Sequence, residues 1–101
     1  MSELGDKRKL FTRCLVQLLE KMLDEGYGPM LGKDGLKHMA HSLHYEGLAC
    51  DIDLTKEGEY LPSGKEHAPY GEFWEGLHPD CAWGGRFGDP NHYSIQYGGR
   101  K

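Results

Sequence analysis

The chain has 101 residues, a formal net charge of -4 at pH 7 and a pI near 5.8, and 38% of it is apolar. That length suits one compact domain with a modest core, the acidic balance argues against a nucleic-acid binder, and the apolar content argues against global disorder. No apolar run approaches the roughly 18 residues of a membrane span. The three cysteines, Cys14, Cys50 and Cys81, are widely spaced and form no CxxC pair. A cysteine zinc knuckle is thereby ruled out, and free, mostly buried thiols are expected. The opening MSELGDKRK leads into an amphipathic pattern rather than an apolar segment, so the expected product is made in the cytoplasm without a signal peptide.

Leu10, Phe11, Cys14, Leu15, Leu18, Leu19, Met22 and Leu23 recur at helical spacing. They predict one amphipathic helix over residues 6–25, capped by Asp6, ended by Gly26 and laid over the core. The cluster Lys7-Arg8-Lys9 reads as a solvated helix end. Residues 26–35 are glycine-rich and read as a loop. Asp34 then caps a short helical turn through Leu36, Met39 and Ala40. A strand is expected over 48–54, and a turn region over 56–65 with a short strand near Tyr60. Tyr70, Phe73, Trp74 and Leu77 predict a short helix over 68–77, with Pro69 near its start. CAWGGRFGDPN is full of turn signals. HYSIQY alternates as a strand over 92–97, and GGRK reads as a frayed tail.

The two alternating segments carry the chemistry. In 48–54, Cys50, Ile52 and Leu54 share one face, while Ala49, Asp51 and Asp53 share the other. In 92–97, Tyr93, Ile95 and Tyr97 oppose His92, Ser94 and Gln96. If both strands belong to one sheet, the apolar faces pack under the helix, and Asp51 and His92 emerge on the opposite face. Small Ala49 leaves room there, and His44 can fold over Gly47 to join them. Two histidines and a carboxylate with an open fourth position are the ligand set of a catalytic zinc ion. Asp89, three residues before His92 in a turn with Pro90, stands where a general base reaches a metal-bound water. The plainer alternative stays open on spacing alone. A strand histidine is often simply hydrogen-bonded, and His38-x-x-His41-x-x-His44 also reads as a solvated helical stripe.

Ser42-x-His44-x-x-Gly47-x-Ala49-x-Asp51, followed by Trp83-Gly84-Gly85 and then Asp89-x-x-His92, resembles the zinc D,D-carboxypeptidases and L-alanyl-D-glutamate endopeptidases. That family includes VanX- and VanY-type enzymes and small phage endolysins, and the resemblance covers residues 42–94. It implies an α+β fold of the hedgehog/D,D-peptidase-like kind, with a small antiparallel sheet covered on one face by helices and the zinc site on the other. It implies zinc held by His44, Asp51 and His92, with Asp89 as catalytic acid or base. Ser42 falls near the substrate, and Trp83 with Gly84 and Gly85 shapes the pocket wall. No role is implied for Asp53, His38, His41, His67 or His78.

The implied activity is hydrolysis of a peptide bond in peptidoglycan stem peptides, by a monomer acting on the cell wall or periplasm. A single zinc peptidase domain over 1–101, without a separate cell-wall-binding domain, suits a small phage lysis enzyme. Family members usually carry an arginine some way before the serine-histidine motif to hold the substrate. Here no arginine occurs between Arg13 and Arg86. Lys33, Lys37 or Arg86 is left to substitute, though lysine lacks the bidentate fork. The lack of a deep anchor for a terminal carboxylate favours an endopeptidase. The alternatives are a D-alanyl-D-alanine carboxypeptidase or dipeptidase, and a zinc-stabilised binding module without turnover.

Overall fold

Helix α1 spans Glu3–Asp24 and buries Phe11, Cys14, Leu18 and Met22, the stripe expected from its three-and-four spacing. It begins three residues earlier than predicted. The Ser2 hydroxyl accepts a hydrogen bond from Gly5 N at 3.0 Å, so Ser2 is the cap. Asp6 lies in the first turn instead, where its charge suits the positive end of the helix dipole. The basic cluster is not purely solvated: Lys7 pairs with the Asp80 carboxylate, holding it below the ordinary range and tying α1 to the far end of the chain.

The structure is a computed structural model that describes residues 2–32 and 47–101. The predicted helical turn after Asp34 lies outside the described residues. After α1 come strands β1 (Gly28–Leu31), β2 (Ala49–Lys56) and β3 (Glu59–Leu61), helix α2 (Gly64–Leu77), strand β4 (Cys81–Trp83), a 3-10 helix (Gly84–Phe87) and strand β5 (His92–Ile95). The class is α+β: a small, open, antiparallel sheet in the order β1-β2-β5-β4, with β3 also paired to β2. No helix among the described residues is long and apolar enough to cross a membrane.

Two of these strands correct the reading from sequence. Residues 28–31, read as loop, pair with β2 from Gly28↔Thr55 to Leu31↔Ile52. Pro29 obscured the strand. The neighbouring bond from Gly32 N to Asp51 O fixes the ladder phase, so the Pro29 nitrogen points away from β2 and costs no ladder bond. Residues 81–83, read as turn, form β4 against β5. Between β2 and β3, Glu57 and Gly58 both have positive φ, at 52° and 81°, as a type I′ hairpin turn requires. The GGRK tail is not frayed, because Tyr97 and Arg100 exchange two backbone bonds at 3.1 Å.

Helix α2 starts four residues earlier than predicted, capped by the Ser63 hydroxyl, which accepts from Lys65 N at 3.1 Å. Pro69 therefore sits inside the helix on an exposed position. Its buried face is His67, Tyr70, Gly71 and Trp74. The core lies between both helices and the sheet face that carries Ile52, Leu54, Cys81, Trp83, Tyr93 and Ile95. Trp74 meets Phe11 and Tyr93 edge to face, each at 5.9 Å between centroids. The cysteines are free thiols, Cys14 and Cys81 lie together in the core cluster, and burial pushes the Cys81 thiol up. The His67 ring Nδ1 lies 2.8 Å from the Tyr93 hydroxyl. Burial pushes the His67 pKa down, against the charges of Asp53 and Glu66.

Candidate metal centre

The register of the two central strands assembles the first half of the site. Asp51 stands directly opposite His92, and Ala49 opposite Ser94. The bond from Ile52 N to Asn91 O, at 2.9 Å, makes Asp51 and His92 a non-hydrogen-bonded pair, the kind whose side chains approach most closely. Their Nδ1 and Oδ1 atoms are 3.5 Å apart. His92 is buried at 7% exposure and Asp51 is half-buried. On the other flank of Asp51 sits Gly32, where a Cβ would lie only 3.0 Å from Asp51 Cβ. Ala49 is buried and belongs with Leu48 to a small apolar cluster that Leu4 and Tyr97 pack against.

A tight turn supplies the second half. His92 N donates to Asp89 O at 3.1 Å, closing Asp89-Pro90-Asn91-His92 as a β-turn with Pro90 at its second position. The turn returns the Asp89 side chain to the side of His92 while leaving it exposed. Donor atoms of Asp51, Asp89 and His92 all lie within 4.8 Å of one another. A tetrahedral ion with bonds of about 2.0–2.2 Å wants donors roughly 3.3–3.6 Å apart. Small side-chain adjustments would bring Asp51 and His92 onto one divalent cation, with Asp89 close enough to be a third donor or to reach a water bound to it. Two carboxylates and an imidazole are donors that zinc accepts.

The glycines beside Trp83 are required by close approach. A Cβ on Gly84 would stand 2.2 Å from the Asp89 carbonyl oxygen and 2.6 Å from His92 Cβ. The Trp83 indole packs where a Cβ on Gly71 or Gly85 would come within 2.0 and 2.2 Å of its ring. Trp83 pairs with Tyr93 and faces the core, the side opposite Asp51 and His92. It reaches the site from behind, through its indole N–H, which donates to Pro90 O at 2.7 Å.

Three neighbours of the site were not singled out in sequence. Phe87 is 53% exposed and meets the His92 ring edge to face at 5.9 Å. Asn91 donates through Nδ2 to the Asp53 carboxylate at 3.4 Å. Cys50, next to Asp51, is driven up to a pKa of about 12 by burial and then by the Asp51 charge. The pattern Asp-Pro-Asn was a turn signal that pointed at Asn91; nothing in the sequence pointed at Phe87.

Arg86 holds Glu75 in a bidentate fork, Nε to Oε2 at 3.1 Å and a terminal nitrogen to Oε1 at 2.6 Å, and lies over the Trp83 ring at 5.4 Å. The pairing lowers the Glu75 pKa and raises that of Arg86. His67 belongs to the core, and His78 Nδ1 accepts from Asp80 N at 3.0 Å. His44, Ser42, Lys33, Lys37, His38 and His41 lie outside the described residues. No family model matches the chain, and neither a curated protein nor a solved structure matches it.

Proposed function

We propose that the chain is a zinc metallopeptidase that hydrolyses a peptide bond in peptidoglycan stem peptides, as a phage-type L-alanyl-D-glutamate endopeptidase on a hedgehog/D,D-peptidase-like fold. The supporting observation is the convergence of Asp51, Asp89 and His92 within 4.8 Å, from two strands and a turn. Asp51 and His92 would hold the ion, with His44 added by the resemblance. Bound zinc would supply a polarised carbonyl and a water acidic enough to ionise near neutral pH. Asp89, at the exposed lip, takes the proton of the attacking water and returns it to the leaving amine.

The test is incubation of purified sacculi with the zinc-loaded protein and mass spectrometry of what is released. Fragment masses separate an endopeptidase from a D-alanyl-D-alanine carboxypeptidase. Asp89→Asn should lower the rate at least about 100-fold, the usual scale for a lost general base. A variant that cleaves at the wild-type rate removes Asp89 from this role. The engagement of Arg86 by Glu75 favours a second reading, a zinc-stabilised module that binds peptidoglycan without cutting it. Retention on sacculi with no released fragment would select that reading.

A further inference from the structure

We infer that Trp83 is a positioning residue for the metal centre: its indole N–H, by holding the Pro90 carbonyl from the core side, fixes the turn that sets Asp89 against His92. The inference rests on the metal-centre reading above. The three consecutive carbonyls of the turn are each pinned by a different partner. Asp89 O accepts from His92 N at 3.1 Å, within the turn. Asn91 O accepts from Ile52 N at 2.9 Å, in β2. Pro90 O accepts from the Trp83 indole at 2.7 Å, in β4. Of the three holds, two come from the backbone and survive any side-chain change. Only the hold on Pro90 depends on a residue type.

The surroundings of the indole are built to deliver that one bond. The ring is confined where Gly71 of α2 and Gly85 of the 3-10 helix leave no room for a Cβ. The turn itself is pressed against Gly84, whose missing side chain admits the Asp89 carbonyl. Asp89 and His92 occupy the two ends of the turn, so a rotation of its central peptide moves the His92 imidazole relative to Asp51 and to the Asp89 carboxylate. Metal ligands held by outer hydrogen bonds lose affinity when those bonds are removed, typically by about 10- to 100-fold.

Trp83→Phe keeps the apolar ring and deletes the donor. Zinc affinity of the 101-residue chain is read by competition with a chromogenic chelator, and the cobalt-substituted protein is read by its visible absorption. We expect Trp83→Phe to fold, to bind zinc about tenfold more weakly or worse, and to show an altered cobalt spectrum. A purely structural tryptophan would change the melting temperature and leave both site readouts alone. Equal zinc affinity and identical cobalt spectra in the two proteins overturn the inference and leave the metal centre standing. A wild-type protein that binds neither ion overturns both. Should Trp83→Phe fail to fold, the wild-type indole N–H resonances decide. Trp83 should shift on zinc addition, while Trp74, whose indole N–H donates to Ser94 O at 2.9 Å, stays in place. An unmoved Trp83 signal at saturating zinc, with the His92 ring signals displaced, overturns the inference.

Discussion

The two tryptophans mark two regions built on one device and used differently. Around Trp74 the indole N–H donates to a strand carbonyl, and the ring is fully buried between Phe11 and Tyr93. Around Trp83 the N–H also donates to a carbonyl, but the carbonyl belongs to a turn, and glycines add their close approach to the core side chains that confine the ring. The first region gains stability from area removed from water, which is non-directional and tolerant of small shifts. The second gains position from close approach, which sets how near Asp51, Asp89 and His92 come to one another. Burial holds the molecule together; the glycine-lined corner holds the geometry.

Four substitutions break or sharpen that contrast. Trp74→Ala should be the most destabilising, by about 3–5 kcal/mol in urea unfolding, because it leaves a cavity between Phe11 and Tyr93 and removes a buried side-chain bond to Ser94 O. A loss under about 1 kcal/mol would remove the core role given to that ring. Gly84→Ala forces a methyl against backbone and should cost about 1–3 kcal/mol, with zinc affinity falling alongside. If affinity holds while stability drops, the close approach at Gly84 serves packing only.

His67 comes next. Its pKa is lowered in the folded protein by burial, opposed by Asp53 and Glu66, and its ring is bonded to Tyr93. The unfolded chain therefore binds the proton more readily, with a pKa near 6.5, and stability should fall as pH drops from about 7 to about 5. His67→Gln should flatten that part of the melting-temperature profile; parallel profiles for the two proteins would show that other groups carry the slope. Arg86→Ala should matter least, with the melting temperature barely changed, because the guanidinium fork on Glu75 is solvent-exposed and screened. A larger loss by thermal melting would mean that its packing over Trp83 contributes to the corner.

The pairing of Asp51 with His92 was legible because a period of two leaves few choices: once both apolar faces seek the same core, the polar residues must share the other side. The long helix was legible for the same kind of reason, at a period of 3.6. Its start was not, since Ser2 and Asp6 are both good caps and only the bond from Gly5 N separates them. β1 and β4 escaped because they are four and three residues long, too short to show a period, and each exists only through its partner. Trp83 drew notice as part of a motif, but its bond to Pro90 runs from side chain to backbone across seven residues, and no pattern announces such a contact. The ligand set expected around His44 is described here only through Asp51 and His92, with Asp89 brought within ligand distance beside them.

Pro29 has an effect beyond its own strand. β1 pairs only with β2 among the described residues, and it presents Met30 and Leu31 at 50% and 55% exposure. A flank of that kind invites a second chain to add itself to the sheet. The ring at Pro29 occupies the outward position where such a visitor would look for a donor, so only Leu31 of that pair offers one. The imino acid that hid the strand from the eye thus also discourages copies of the molecule from zipping together along it.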